Sequence, residues 1–302
     1  MKEDINFEVI IIGGSYAGLS AAMTLGRSLR KVLIIDGGFP CNRQTPHSHN
    51  FITQDGENPS IITQKAKAQV LNYTTVKFYS GFALSGKKNK NGFVITTQTG
   101  EEFKAKKLVF ATGIKDTMPN IKGFSESWGI TIVHCPYCHG YELRHQKTGI
   151  MANGEQAFHL ATLVNNLTNN LTILTSGKAD FKPNQFEKLK KHNISIIETE
   201  ISEIEHDKGY VKNVILTDGN KIAFKGIYAS LPFTQHSDIP LSLGCELTEQ
   251  RYIKVDSFQK TNIEGVYACG DNSNMMRSVA NAVSSGNLAG AITNAELTAE
   301  QF

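Results

Sequence analysis

A glycine-rich turn between two short apolar runs constrains this chain more than any other feature. Residues 7–12 form a β-branched run, and the turn Gly13-Gly14-Ser15-Tyr16-Ala17-Gly18 follows it directly. Apolar residues at helical spacing continue from Leu19 to Leu29, and a second apolar run, Val32 to Ile35, ends at Asp36. A strand, a turn, a helix and a strand in this order make one βαβ unit. The sequence therefore predicts an α/β fold with parallel strands.

The turn is close to the dinucleotide-binding fingerprint. That fingerprint has Gly at its first place for the tight turn, at its third for approach of the pyrophosphate, and at its sixth for helix packing. Gly13 and Gly18 fill the first and sixth places, and Ser15 holds the third, where its hydroxyl adds little bulk. Asp36 lies where a carboxylate accepts hydrogen bonds from ribose hydroxyls. The predicted dinucleotide-binding residues are Gly13, Gly14, Ser15, Tyr16, Ala17, Gly18 and Asp36.

A second pattern of the same kind begins near residue 148. Gly149 to Met151 reads as a strand, Ala152-Asn153-Gly154 as the turn, Glu155 to Leu167 as a helix and Leu171 to Thr175 as the next strand. Ala at the first glycine place strains the turn, and no arginine pair or acid follows the second strand to select a nicotinamide nucleotide. Asn153, Gly154 and Glu155 are candidate NAD(P)-binding residues. A fold that keeps this shape without its ligand is the alternative.

The order of these patterns predicts an interrupted domain. Residues 194–235 read as a meander of short strands, and Gly265 to Ala268 reads as a buried strand that leads into Cys269-Gly270-Asp271. We predict two Rossmann-like, three-layer ββα domains, the second inserted into the first. The predicted ranges are 1–115 with 236–302 for an FAD-binding domain, and 116–235 for an NAD(P)-binding-like domain that carries two neighbouring thiols.

The two thiols, Cys135 and Cys138, form a Cys-x-x-Cys motif, which is typical of reversible dithiols. Two other interpretations are possible. Together with His134 and His139 the two cysteines make a set of four residues that could bind zinc, and the pattern Cys-x-x-Cys-His matches a haem attachment site. Structural zinc sites draw on two separated ligand pairs, and haem attachment belongs outside the cytosol. The redox interpretation is therefore favoured, and no metal is predicted. His139 is the predicted acid–base group, because its ordinary pKa is near 6.5.

Composition excludes several classes of partner. The net charge is +3 over 302 residues, which gives no basis for predicting nucleic-acid binding. No apolar run reaches the roughly 18–20 residues of a membrane span. The remaining cysteines, Cys41, Cys245 and Cys269, are scattered singly, unlike a secreted disulfide framework. We predict a cytoplasmic protein with no nucleic-acid or membrane partner.

Together these motifs resemble the low-molecular-weight thioredoxin reductases among the pyridine nucleotide–disulfide oxidoreductases. The resemblance rests on the first turn, Ala111-Thr112-Gly113, the dithiol, and Gly265 to Asp271. It implies a homodimer with FAD bound at the first turn, with Asp271 near the ribityl–pyrophosphate and Asn50 near the isoalloxazine. It implies Cys138 as the flavin-proximal thiol. The further cofactor-binding positions are Gly37, Asn42, Asn50, Ala83, Ala111, Thr112, Gly113, Gly270, Asp271 and Ala280.

The chain departs from thioredoxin reductases at two points. His139 stands where those enzymes have an aspartate, and the second turn lacks their full glycine pattern and basic residues. The run from His134 to Glu142 is more similar to dithiol oxidases of the gliotoxin and holomycin type, in which flavin electrons can pass to oxygen.

Three functions follow as hypotheses. The first is an FAD-dependent thiol–disulfide oxidoreductase in which Cys135 exchanges with the substrate sulfur, Cys138 contacts the flavin and His139 carries the proton. The substrate would be a thioredoxin-like protein or a small dithiol, and the electron donor NADPH, NADH or neither. The second is an NADPH-independent dithiol oxidase that uses oxygen. The third, of another class, is a flavin redox sensor without turnover.

Overall fold

The chain forms two compact units in a computed structural model that describes residues 6–302. The first unit comprises the described residues up to Arg43, Asn50–Lys115 and Phe233–Phe302, and the second comprises Gln44–His49 and Asp116–Pro232. The short segment 44–49 thus belongs to the second unit, although it lies inside the range predicted for the first domain. We describe each unit separately.

The structure describes twenty-five helices and strands over residues 6–302. In chain order they are β1 Asn6–Ile12, α1 Tyr16–Arg27, β2 Val32–Asp36, α2 Pro59–Leu71, β3 Val76–Ser80, β4 Ala83–Asn89, β5 Gly92–Thr97, β6 Glu102–Phe110, β7 Ile114–Asp116, α3 Phe124–Ser127, β8 Ile132–Val133, α4 Pro136–His139, β9 Thr148–Met151, α5 Gly154–Val164, β10 Leu171–Leu174, α6 Pro183–Lys191, β11 Ser195–Ile197, β12 Ile201–Asp207, β13 Tyr210–Leu216, β14 Lys221–Ala223, β15 Gly226–Ala229, β16 Phe233–Gln235, α7 Ile239–Ser242, β17 Val266–Ala268 and α8 Val279–Gln301.

The first unit is built on a mostly parallel sheet with β1 at its centre. β1 pairs in parallel with β2 on one side and β6 on the other, and β3 extends the sheet beyond β2. On its far side β6 has two neighbours: its first half pairs antiparallel with β5, and its last residues, Leu108–Phe110, pair in parallel with β17. This division of β6 produces the additional antiparallel layer of the predicted ββα architecture.

Both faces of β1 are buried, which explains its unbroken β-branched sequence. Val9 and Ile11 join the cluster that contains residues of α1 and α8, whereas Ile10 and Ile12 join the cluster formed with β5 and β6. Helices α1 and α8 pack closely because α8 has glycine at the contact. A Cβ at Gly286 would lie 2.1 Å from the Ala17 carbonyl oxygen.

The second unit has a five-stranded parallel sheet in the order β11-β10-β9-β15-β8 and a separate antiparallel sheet of β12, β13 and β14. The predicted meander over 194–235 is therefore only partly present, because β11 and β15 join the parallel sheet. Strands of three or four residues carry too little periodicity to reveal which sheet they enter.

The predicted α/β fold class, with parallel sheets in two Rossmann-like units, is confirmed. Among residues 6–302, no helix combines the length and the apolar character that a membrane span requires.

Substitution of Gly18 by alanine is expected to destabilise the first unit, because the new Cβ would lie 1.8 Å from the Gly13 carbonyl oxygen. Overpacking of this kind costs about 1–3 kcal/mol or more. The control is Gly149→Ala, whose added Cβ would lie no closer than 3.4 Å to any neighbouring atom and whose backbone is not in the left-handed region. Urea unfolding of both variants measures the difference, and equal midpoints would contradict the steric account.

Candidate active site

The first glycine turn lies at the carboxyl ends of adjacent parallel strands. The register aligns Ile12 of β1 with Ile35 of β2 and with Phe110 of β6, so the turns after these strands share one edge of the sheet. Gly13 has φ +104°, and a Cβ there would lie 2.2 Å from the Ala111 carbonyl oxygen. Only glycine fits between the two loops, so the sequence requirement at Gly13 comes from the neighbouring strand end.

The geometry of this turn fits a dinucleotide. The Gly14 amide donates to Asp36 Oδ1 at 2.9 Å, which orients the carboxylate and leaves its second oxygen directed to other donors. At Ser15, the N-cap of α1, the side chain makes no capping hydrogen bond, and the first turn of α1 carries no acidic residue. The helix N-terminus therefore keeps its amide groups and its partial positive charge for an anion such as pyrophosphate.

The predicted residues of two further loops meet at the same edge. The Gly270 amide donates to Ser285 Oγ at 3.0 Å, which fixes the loop after β17 against α8. Asn272 is fully buried, and its amide group donates to the Phe110 carbonyl and to Thr112 Oγ1. Asn272 thus ties the loop after β17 to the loop after β6. Sequence reasoning did not single it out, although it directly follows the Gly-Asp pair.

The remaining predicted cofactor positions lie in loops and at element ends of the first unit. The Asn42 side-chain amide donates to the Tyr16 hydroxyl. Asn50 has φ +59°, and its backbone N–H donates to the Asp55 carboxylate. Asp271 lies near the Cys41 thiol and the Arg277 guanidinium. Gly37 packs against the Phe82 ring, Ala83 begins β4, Ala280 is exposed at the start of α8, and Ala111, Thr112 and Gly113 follow β6.

The second glycine turn has the opposite character. Asn153 is the N-cap of α5, and its Oδ1 accepts hydrogen bonds from the amides of Gly154 and Asp180. Glu155 adds a carboxylate to the first helical turn, where it bonds the side chain of Gln185. The first amide of this helix, which a pyrophosphate would use, is thus already bonded to an oxygen atom of the protein.

An open cleft of ≈ 580 Å³ lies beside this second turn. Two of its five lining residues are acidic, Glu155 and Asp180, and one is basic, Lys182, which contacts Glu155 at 3.4 Å. A nucleotide phosphate would meet more negative than positive charge here. The candidate NAD(P) residues Asn153, Gly154 and Glu155 are brought together, but in an arrangement that disfavours an anion.

The two thiols are held by a single helical turn in the second unit. Cys135 is the N-cap of α4 with extended backbone, Pro136 is the first helical residue, and the Cys138 and His139 amides donate to the Cys135 carbonyl. Cys135 thus stands at the start of this one turn and Cys138 lies within it, three residues further on. Both cysteines are half-buried.

His139 lies in an environment that keeps its imidazole neutral. Burial, with a smaller contribution from the charge of His49, lowers the pKa of His139 to about 4. His49 Nε2 in turn lies 3.7 Å from Glu142 Oε1, and the His49 side chain is 20% exposed. Loop histidines such as His47 and His49 are usually solvated, and no local pattern indicated that His49 would lie within electrostatic range of His139.

The comparisons with known proteins agree with this geometry. Residues 7–286 match the family model described as pyridine nucleotide-disulphide oxidoreductase. The chain belongs to that family. Thioredoxin reductase sirT of Leptosphaeria maculans is 31% identical over 306 residues, which are 95% of this chain and 93% of that protein. Thioredoxin reductase tcpT of Claviceps purpurea (strain 20.1) is 29% identical over 308 residues, which are 97% and 95% of the two chains.

A solved structure extends the likeness to the backbone. The oxidoreductase from Agrobacterium tumefaciens is 35% identical with a TM-score of 0.92, over 97% of this chain and 99% of that one. The predicted family and function are confirmed: the enzyme is an FAD-dependent thiol–disulfide oxidoreductase of the thioredoxin reductase-like type. The uncapped N-terminus of α1, the oriented Asp36 carboxylate and the close approach at Gly13 are the features of the enzyme that fit FAD.

His139 is expected to reduce the stability of the enzyme in mild acid. Its folded pKa of about 4 lies below the ordinary value of 6.5, so the unfolded chain binds the proton more readily. The contribution of His139 to stability is therefore complete above pH 6.5 and is lost as the pH falls toward 4. Urea unfolding between pH 4 and pH 7 should show a weaker pH dependence in His139→Gln than in the native enzyme.

The control for that measurement is His159→Gln, which changes an exposed histidine on α5. NMR titration of the His139 ring gives the pKa directly. A His139 midpoint near 6.5 would show that burial does not act on this imidazole.

Proposed function

We propose that Cys135 and Cys138 are the redox pair of the enzyme and that His139 moves the proton during thiol–disulfide exchange. The observation that carries this proposal is the one-turn helix, which has Cys135 at its N-cap, Cys138 within it and the neutral imidazole of His139 at its last position. A neutral imidazole has a ring nitrogen free to take a proton during the exchange, which an imidazolium does not have.

The proposed exchange consists of two successive nucleophilic substitutions at sulfur. A substrate thiolate attacks Cys135 in the Cys135–Cys138 disulfide, forms a mixed disulfide and displaces the Cys138 thiolate. The second substrate thiolate then attacks the substrate sulfur of the mixed disulfide and releases Cys135. The substrate leaves as a disulfide, the protein dithiol has gained two electrons, and His139 accepts and returns the protons at its imidazole nitrogen. The reverse sequence reduces a disulfide substrate.

We assign the binding of FAD to the first unit, through the predicted residues at the ends of β1, β2, β6 and β17. When bound, the flavin supplies a two-electron acceptor and donor for the dithiol. The chain's own residues would hold it: the uncapped α1 amides would bind the pyrophosphate and Asp36 would accept from a ribose hydroxyl. The close approach of Gly13 to Ala111 keeps the two loops in register.

We further propose that the enzyme works as a dithiol oxidase that does not depend on a nicotinamide. The specific support is the second turn, where Asn153 caps the helix and Glu155 and Asp180 place negative charge beside it. The overall reaction would convert one dithiol and O₂ into one disulfide and H₂O₂, which balances two protons and two electrons. Oxygen then takes the place of NADP⁺ as the final acceptor.

The partners of this reaction follow from the same chemistry. The substrate is a thiol or disulfide compound, either a thioredoxin-like protein or a small dithiol, and the half-buried thiols admit a substrate sulfur from one side. We propose a homodimer on the basis of the family resemblance, and a cytoplasmic location on the basis of the scattered single cysteines.

Replacement of Cys138 by serine is expected to reduce turnover of any dithiol substrate by about a thousand-fold or more, because the disulfide can no longer form. Cys245→Ser is the matched control, since Cys245 is buried outside both sites and a serine there retains the hydrogen bond to Thr261. Dithiol consumption and peroxide formation are measured together. Undiminished turnover in Cys138→Ser would remove Cys138 from the mechanism.

The electron donor is tested by anaerobic stopped-flow absorbance of the flavin. Mixing with a small dithiol such as dithiothreitol should bleach the flavin rapidly, whereas NADPH and NADH should bleach it slowly, because the second turn opposes binding of their phosphates. Rapid bleaching by either nucleotide would reject the nicotinamide-independent reaction. Peroxide that accumulates over many turnovers in air would exclude a redox sensor, which reacts once.

A further inference from the structure

Tyr228 is a buried tyrosine in the middle of the parallel sheet of the second unit. It lies on β15, between β9 and β8, and is 1% exposed. Its hydroxyl is also buried, and within residues 6–302 no group hydrogen-bonds to it. A buried hydroxyl without a partner is unfavourable, and a phenylalanine would fill the same space without that penalty. The hydroxyl therefore calls for an explanation.

The strand register brings Tyr228 close to the dithiol. Tyr228 is aligned with Val133, the last residue of β8, and both side chains belong to the same apolar cluster. Cys135 follows two residues later, after a bend at His134, and begins the turn that carries both thiols. The pairing therefore places Tyr228 beside the strand end from which the dithiol turn begins.

The electrostatics agree with this placement. Burial raises the pKa of Tyr228, and the negative charges of Cys135 and, to a lesser degree, Glu142 raise it further. The phenol therefore keeps its proton and can only act as a neutral donor when it faces an anion. Of the two anions, Glu142 already lies near His49, whereas the Cys135 thiolate appears and disappears in each exchange.

We propose that the Tyr228 hydroxyl donates a hydrogen bond to the Cys135 thiolate and thereby stabilises the reactive form of that thiol. Tyr228 is a positioning residue in this assignment, since it acts on the substrate through Cys135. The assignment rests on the proposed role of Cys135 as the thiol that exchanges with substrate. A donor aimed at sulfur explains why a tyrosine hydroxyl is kept at a position that is otherwise apolar.

Other ionisable groups near the dithiol also act on its thiolate, and the experiment must hold them constant. They are His134 and His139 beside the thiols, Glu142 beyond the turn, His47 and His49 in segment 44–49, and Glu155 and His159 on α5, which packs against α4. None of them is changed when only the Tyr228 hydroxyl is removed.

The test measures the thiolate of Cys135 by its rate of alkylation. In a Cys138→Ser background, iodoacetamide labelling of the Cys135 peptide is followed by mass spectrometry from pH 5 to pH 10, with and without Tyr228→Phe. A hydrogen bond to a charged group changes a pKa by about one unit or more, so the midpoint should rise by about one pH unit and labelling at neutral pH should fall about 10-fold. An unchanged midpoint in a folded Tyr228→Phe protein would overturn the proposal.

Two controls separate this effect from a structural one. Tyr141→Phe removes a hydroxyl from an exposed tyrosine three residues beyond Cys138 and should leave the midpoint unchanged. Incorporation of 3-fluorotyrosine makes the Tyr228 hydroxyl a stronger donor without deleting it and should lower the midpoint, but only in protein that retains Tyr228. A midpoint that does not respond to fluorination would also overturn the proposal.

The same measurement distinguishes this proposal from the proposed function. Alkylation reports the Cys135 thiolate whether or not the enzyme turns over. If Tyr228→Phe shifts the midpoint as expected but the native enzyme shows no dithiol turnover, the role of Tyr228 is supported and the proposed function is rejected. If the native enzyme turns over dithiols but the midpoint does not shift, the function is supported and the role of Tyr228 is rejected.

Discussion

The hydrogen bond from the Gly14 amide to the Asp36 carboxylate is the contact on which the first unit depends. It joins two residues 22 positions apart, at the ends of neighbouring parallel strands. It forms only because β1 and β2 are paired in a register that brings Ile12 opposite Ile35. The same register on the other side of β1 brings Ala111 against Gly13. One set of strand pairings thus arranges the glycine turn, the Asp36 carboxylate and the loop after β6.

The two units show how the same supersecondary unit can be open to a ligand or closed by its own side chains. In the first, the side chain at the helix N-cap makes no capping bond and no acid follows, so the amide groups keep their full capacity for an anion. In the second, the Asn153 side chain takes the first helical amide, and Glu155 adds a negative charge that opposes an anion. Both units keep the same backbone arrangement of strand, turn and helix, because parallel strand pairing and apolar burial stabilise the sheets independently of any ligand at the turn. Binding is decided by a few polar atoms at the helix terminus.

Much of this could be predicted from local sequence. The first turn, its flanking strands and Asp36 form a contiguous pattern, and that pattern determines backbone geometry over a few residues. The dithiol could be predicted equally well, because two cysteines separated by two residues indicate a redox pair without any knowledge of the residues around them in the fold. The weakness of the second turn was visible in Ala152. In each case the residues that define the feature are close in sequence.

The parts that could not be predicted depend on contacts between distant residues. Segment 44–49 joins the second unit, and His49 acts on His139 across 90 positions of sequence, which no local pattern shows. Asn272 bonds Phe110 and Thr112 across about 160 positions of sequence. Tyr228 lies beside Val133, two residues before Cys135, only because β15 pairs with β8. The sheet that the short strands β11 and β15 join is likewise determined by the strands they pair with, and their own few residues do not indicate it.

The burial of the His139 imidazole keeps the charge beside the dithiol constant in mild acid. With a pKa of about 4, this ring is still neutral when the pH falls from 7 to 5. A solvated histidine at the same position, with its ordinary pKa near 6.5, would gain a positive charge over that range. Burial thus removes from the residue after Cys138 the change of charge that most histidines undergo between neutral and weakly acidic solution.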